Sequence, residues 1–285
     1  MRLFWHKNYS QKYSSSLFPT FPPSIKRLVI DIMQLLRIFF ICLLPAIQFG
    51  QEVIPYPDNS PYAKDFEAMG IPSLSKIWDE MDYQKTFDIL DQIYEADKFS
   101  LPRSESAYSA DLFKRLTALE NFEWLADEKK NIGNRIIGFE RLKEVPFRTL
   151  IYYIENLEEQ ERFGREVLEC LFLDLFVYQI GLELYTDLEI SLGDRAQLGN
   201  FQQGFQRLQL EFNQKIGMTL KVFEEDYTRY AERDLLTFAN KLYFLLPKIS
   251  NPTYRKQLKS RLKMMENADF CPNLLQIIKE MRQQL

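Results

Sequence analysis

From Phe205 to Leu245 the apolar residues advance only in steps of three or four: Phe205, Leu208, Phe212, Ile216, Leu220, Phe223, Tyr227, Ala231, Leu235, Phe238, Leu242 and Leu245. That period is the repeat of an α-helical face, and the two-residue repeat of a half-buried strand does not produce it. No proline intervenes before Pro247, so the spacing predicts one helix of about 60 Å, or two joined at a kink near Gly217. A helix of this kind needs a partner to cover its stripe. Residues 162–190 supply it: the run from Val167 to Tyr178 is broken only by Glu169, Cys170 and Asp174, as expected of a helix enclosed by others. The expected fold is therefore all-α, an irregular multi-helix bundle with long antiparallel helices.

The remaining elements follow from punctuation. Asp82 is placed to cap a helix carrying Tyr83, Phe87, Leu90, Ile93 and Tyr94, which stops before Leu101 and Pro102. A helix from about Ser104 buries Tyr108, Leu112, Phe113, Leu116 and Leu119, and Ile132–Leu142 forms a short one. Pro146 suits the first turn of a helix burying Phe147, Leu150, Ile151, Ile154 and Leu157. Gly193 and Asp194 mark a turn. Asn251 and Pro252 begin a basic helix over 254–265, and Pro272 begins the last one. Trp78, Met81 and Tyr83 have no second copy at a period near 34, so a tetratricopeptide solenoid is disfavoured.

The first 50 residues have a different character. They hold six of the 36 basic residues and one of the 40 acidic ones, which leaves 30 and 39 in 51–285 and a net charge of −9 there. That sign disfavours nucleic-acid binding. From Ile38 to Gly50 run 13 uncharged residues behind Arg37, too few for a membrane-spanning helix and matching a signal-peptide core. Cleavage is expected near Gly50, and translation from Met33 gives a conventional short basic leader. The domain plan is a leader over 1–50, an extended tether over 51–72 set by prolines at 55, 57, 61 and 72, and a single helical domain over 73–285. Export permits a disulfide between Cys170 and Cys271.

The inventory of reactive side chains removes many chemistries. The only histidine is His6, inside the leader, so the remainder cannot assemble Ser-His-Asp, Cys-His, paired-His zinc or Glu-x-x-His di-iron sites. Gly193, Gly199 and Gly204 lack the Lys-Ser/Thr of a phosphate loop, and Asp79, Glu80 and Asp82 lack the pattern of a calcium loop. No cofactor or metal is expected. Carboxylates remain, and Asp174, alone in its apolar run, is the candidate for a raised pKa and for catalysis, on a stripe with Cys170, Tyr178, Gly181 and Tyr185. Arg255, Lys256, Lys259, Arg261 and Lys263 form a candidate contact for an anionic surface, backed by an apolar stripe of Leu258, Leu262 and Met265. Glu155, Glu158, Glu159 and Glu161 form the opposite patch.

Taken together these features predict an exported, non-enzymatic protein that binds an envelope or extracellular protein partner through a helix surface. The alternatives are a carboxylate-based glycan hydrolase and a peripheral membrane binder using helix 254–265.

Overall fold

The computed structural model describes residues 60–154, 162–193, 199–249 and 251–285, and the architecture and its absences are those of these residues. The leader with its Gly50 and Met33, residues 51–59 of the expected tether and the acidic run Glu155–Glu161 lie outside them. The described chain contains α-helices and short 3-10 turns, with no strand among the described residues. In order, the helices are α1 (Ala63–Ala68), α2 (Glu80–Asp97), α3 (Ala110–Leu116), α4 (Glu120–Glu123), α5 (Ile132–Leu142), α6 (Val145–Ile151), α7 (Gly164–Leu192), α8 (Gly199–Glu224), α9 (Glu232–Leu245), α10 (Pro252–Met265) and α11 (Pro272–Gln284).

The organising element is α7. Almost every residue from Gly164 to Leu184 is buried, because α5 and α6 cover one side, α8 another and α9 a third. Contacts give the directions. Lys215 of α8 meets Asp174 and Phe205 stacks on Tyr185, so α8 runs antiparallel to α7. Arg135 meets Asp187 while Glu144 meets Tyr178, so α5 and its junction with α6 are antiparallel too. Lys241 pairs with Glu169, and further along Ile249 lines a cavity with Leu182, which makes α9 parallel to α7.

The 60 Å helix is thus two helices, and the break falls after Glu224 rather than at Gly217, which sits inside α8. Glu224, Glu225 and Asp226 place three acids at the negative end of the α8 dipole, where further helix is disfavoured. The chain then turns through Tyr227–Arg229, with Asp226 and Arg229 paired at 2.7 Å. The apolar spacing continues through the break because Tyr227 still packs, against Phe270. Direction changes although periodicity does not.

Two termini are also corrected. Asp79, not Asp82, caps α2; its side chain accepts from the Asp82 N–H at 3.0 Å while Asp82 accepts from the Asp79 N–H at 3.1 Å, a reciprocal capping box. Residues 60–72 are not an extended tether, since α1 forms there and Phe66 and Ile71 enter the core. Pro61 and Pro72 flank this short helix instead of preventing it. Further on, α3 begins only at Ala110, leaving Tyr108 exposed beside Tyr62 and Phe66, and Ile151 also faces outward.

Where α5 crosses α7 the helices approach closely through glycine. A Cβ on Gly181 would stand 2.2 Å from Phe139 Cζ and 2.3 Å from Cε2, and that ring is fully buried and packed edge-on against Tyr178. Gly181→Ala is expected to destabilise by about 2 kcal/mol, the overpacking cost exceeding the roughly 1 kcal/mol gained in helix propensity. Urea denaturation checks this, and the added substitution Phe139→Leu should recover part of the loss.

Candidate functional site

Asp174 is the sequence candidate on which the structure gathers the most chemistry. It is 1 % exposed at the middle of α7. Its Oδ2 lies 2.9 Å from Lys215 Nζ of α8, and its Oδ1 is enclosed without a hydrogen-bond partner. The ammonium lies over the ring of Phe147 at 4.4 Å and of Tyr178 at 4.9 Å, an aromatic flank that favours its charge. Removal from water pushes the Asp174 carboxyl up to about 6; Lys215 opposes the shift, and Glu144 adds to it.

The pair belongs to a larger polar seam between α7, α8 and the α5–α6 junction. Tyr178 Oη donates to Glu144 Oε1 at 3.2 Å, and Tyr185 Oη donates to Glu140 Oε1 at 2.8 Å. Lys143 reaches Glu140 at 2.7 Å and Glu211 at 4.0 Å, while Arg207 Nε donates to Glu211 Oε1 at 2.8 Å. The stripe Tyr178, Gly181 and Tyr185 packs against Phe139 instead of lining a cleft. Two small cavities lie elsewhere along α7. One of about 10 Å³ touches Glu169, Asp234 and Lys241, and one of about 30 Å³ touches Gln179, Glu183 and Asn251. These are spaces for water, far below the several hundred Å³ of a substrate pocket.

The raised Asp174 pKa sets a sign for pH dependence. A carboxyl titrating near 6 when folded and near 3.8 when unfolded binds its proton more tightly in the folded chain. Its contribution to stability is therefore complete below the unfolded value and lost as pH rises through 6. Relative to Asp174→Asn, the wild type should gain about 1 kcal/mol between pH 7 and pH 5 in urea unfolding. An unchanged difference between the two pH values would show that Asp174 titrates normally.

The other candidates resolve differently. Cys170 and Cys271 are both free and not bonded to each other. Cys170 is fully buried near Tyr83 and Tyr153, where burial pushes its thiol up, whereas Cys271 follows Phe270, which packs on Phe223 and Tyr227. On the basic helix α10, capped by Asn251, the cations divide into two groups. Arg255 donates to the carbonyls of Pro247, Gln284 and Leu285, and Arg261 forms a two-pronged pair with Glu224 at 2.8 and 2.5 Å. Lys256, Lys259 and Lys263 stand exposed. The stripe of Leu258, Leu262 and Met265 is buried in the core, so it is not free to enter a membrane.

Sequence reasoning missed Lys215 as the partner of Asp174 and Asn121 as a buried polar node. Among the described residues no group of three or more His, Cys, Asp or Glu side chains is arranged to hold a metal, and no helix is long and apolar enough to cross a membrane. The class these residues define is an all-α multi-helix bundle built around one enclosed helix. No protein family, no curated protein and no solved structure matches the chain.

Proposed function

We propose that this chain is an exported, non-enzymatic helical protein that binds a protein partner of the cell envelope or extracellular space through an exposed helix face. The observation that carries the reading is the state of Asp174. The carboxylate best suited to hydrolysis is paired with Lys215 and shut away from solvent, and the cavities of about 10 and 30 Å³ along α7 do not reach it. Catalysis by two carboxylates needs both to face a bound sugar, and this arrangement works against it. Large apolar side chains stand outward meanwhile. Phe244 of α9 is 69 % exposed and has Tyr243 edge-on beside it, the kind of aromatic anchor that dominates protein interfaces. Export rests on the apolar segment Ile38–Gly50.

The test begins with mass spectrometry of the mature N-terminus from native cells, followed by affinity capture with wild type and Phe244→Asp. The expected result is processing near Gly50 and a stoichiometric partner. The variant should bind it about 30-fold more weakly, a loss of roughly 2 kcal/mol, while its folding stability changes by less than about 0.5 kcal/mol. An unprocessed N-terminus removes export from the proposal, and undiminished capture by Phe244→Asp removes this face. Glycan hydrolysis by the purified protein, abolished in Asp174→Asn, would replace the reading with the hydrolase alternative.

A further inference from the structure

We propose that Lys215 moves from Asp174 to Glu211 when the buried Asp174 carboxyl takes up a proton, so that a proton held in the interior is reported at the exposed Arg207. Three observations converge on this device. First, Asp174 is linked to α8 only through Lys215 among the hydrogen bonds and ion pairs of the described residues, and its second oxygen has no partner. Second, Glu211 precedes Lys215 by four residues on α8, the helical order in which a glutamate and a lysine pair best. Third, Glu211 has an oxygen to offer. Its Oε1 accepts from Arg207, whereas Oε2 is enclosed without a hydrogen bond, with Lys143 4.0 Å away.

The surroundings leave Lys215 few other choices. From the α5–α6 junction Glu144 faces Asp174, but it already accepts from Tyr178. On α7 itself the titratable neighbours are Tyr178 and Cys170, and burial pushes both up and keeps them neutral. On α9 Lys241 is engaged by Glu169. When Asp174 becomes neutral, a buried ammonium loses its counter-charge, which is costly. The flexible four-carbon stem of Lys215 lets it swing toward Glu211 Oε2. The balance is one proton gained at Asp174, with Lys215 an ammonium throughout and no covalent bond altered. Arg207, two-thirds exposed on α8, then shares its carboxylate with Lys215 and is partly released.

The experiment is an NMR titration of the full chain, labelled with carbon-13 and nitrogen-15, from pH 7.5 to 4.5. Asp174 Cγ is expected to titrate with a midpoint near 6, and Lys215 Nζ, Glu211 Cδ and Arg207 Nε should shift with the same midpoint. In Glu211→Gln the Asp174 transition should persist while the Lys215 displacement is lost. The proposal is overturned if Asp174 titrates below pH 4.5, if Lys215 or Arg207 stays fixed while Asp174 titrates, or if Glu211→Gln leaves the Lys215 shift intact. Should Glu211→Gln fail to fold, the four wild-type signals still decide, because the proposal requires them to move together.

Discussion

Lys215→Met is expected to lower the stability of the folded chain by about 3–5 kcal/mol, whereas Lys215→Met combined with Asp174→Leu should return it to within about 1 kcal/mol of wild type. The asymmetry follows from burial. The single substitution leaves the ionised Asp174, 1 % exposed, without the Lys215 ammonium that reaches it at 2.9 Å. A carboxylate there either bears the desolvation cost or takes up a proton far above its ordinary range, and both weaken the fold at neutral pH. Replacing both partners removes two desolvation penalties along with one attraction and puts apolar side chains beside Phe147 and Tyr178, where Lys215 now lies. Urea unfolding of the four proteins of the cycle at pH 7 gives the coupling energy directly. A double variant as unstable as the single one would mean that the pair is a net stabiliser, its attraction outweighing the two desolvation penalties.

The same pair shows how much of this molecule was legible in its sequence. The enclosure of α7 could be read from composition, since a run from Val167 to Tyr178 with so few polar interruptions has no exposed face to offer. The anomaly of Asp174 could be read for the same reason. Its partner could not. Lys215 is separated by 41 positions and lies on a helix whose other polar residues mostly face water, so nothing in its own neighbourhood distinguishes it. Local pattern also failed where one physical signal has two sources. Apolar spacing persists from Phe223 to Leu235 across a chain reversal because residues of the 3-10 turn pack as well as residues of a helix. The sequence reading puts the cap at Asp82, and the reciprocal hydrogen bonds assign that role to Asp79, with Asp82 as its third residue. The stripe on α10 suited either a membrane or a core, and burial of Leu258 and Leu262 assigns it to the core.

Asn121→Ala should cost about 4 kcal/mol. Asn121 is fully buried in the short α4, and each of its side-chain bonding positions is used. Oδ1 accepts from the backbone N–H of Trp78 at 2.9 Å and from Arg115 Nη1 at 3.0 Å. Nδ2 donates to Tyr83 Oη at 2.7 Å and to the Arg115 carbonyl at 3.0 Å. One side chain thereby fastens the segment entering α2, the α2 helix itself and the end of α3. Truncation strands a backbone donor and a guanidinium N–H inside the core, each costing roughly 1–3 kcal/mol, and opens a small void beside Trp78. Tyr83→Phe is the informative contrast. It removes one acceptor from Asn121 and the donor to the Leu116 carbonyl at 3.1 Å, yet leaves the bonds to Trp78 and Arg115 in place, so about 1–2 kcal/mol is expected. Equilibrium unfolding in urea compares the two, and hydrogen exchange at the Trp78 amide separates their mechanisms. That amide should lose protection selectively in Asn121→Ala and keep most of it in Tyr83→Phe. Equal losses in both variants would mean that Asn121 acts through the tyrosine alone, and the N-terminal helices would then be joined by apolar packing instead of by this node.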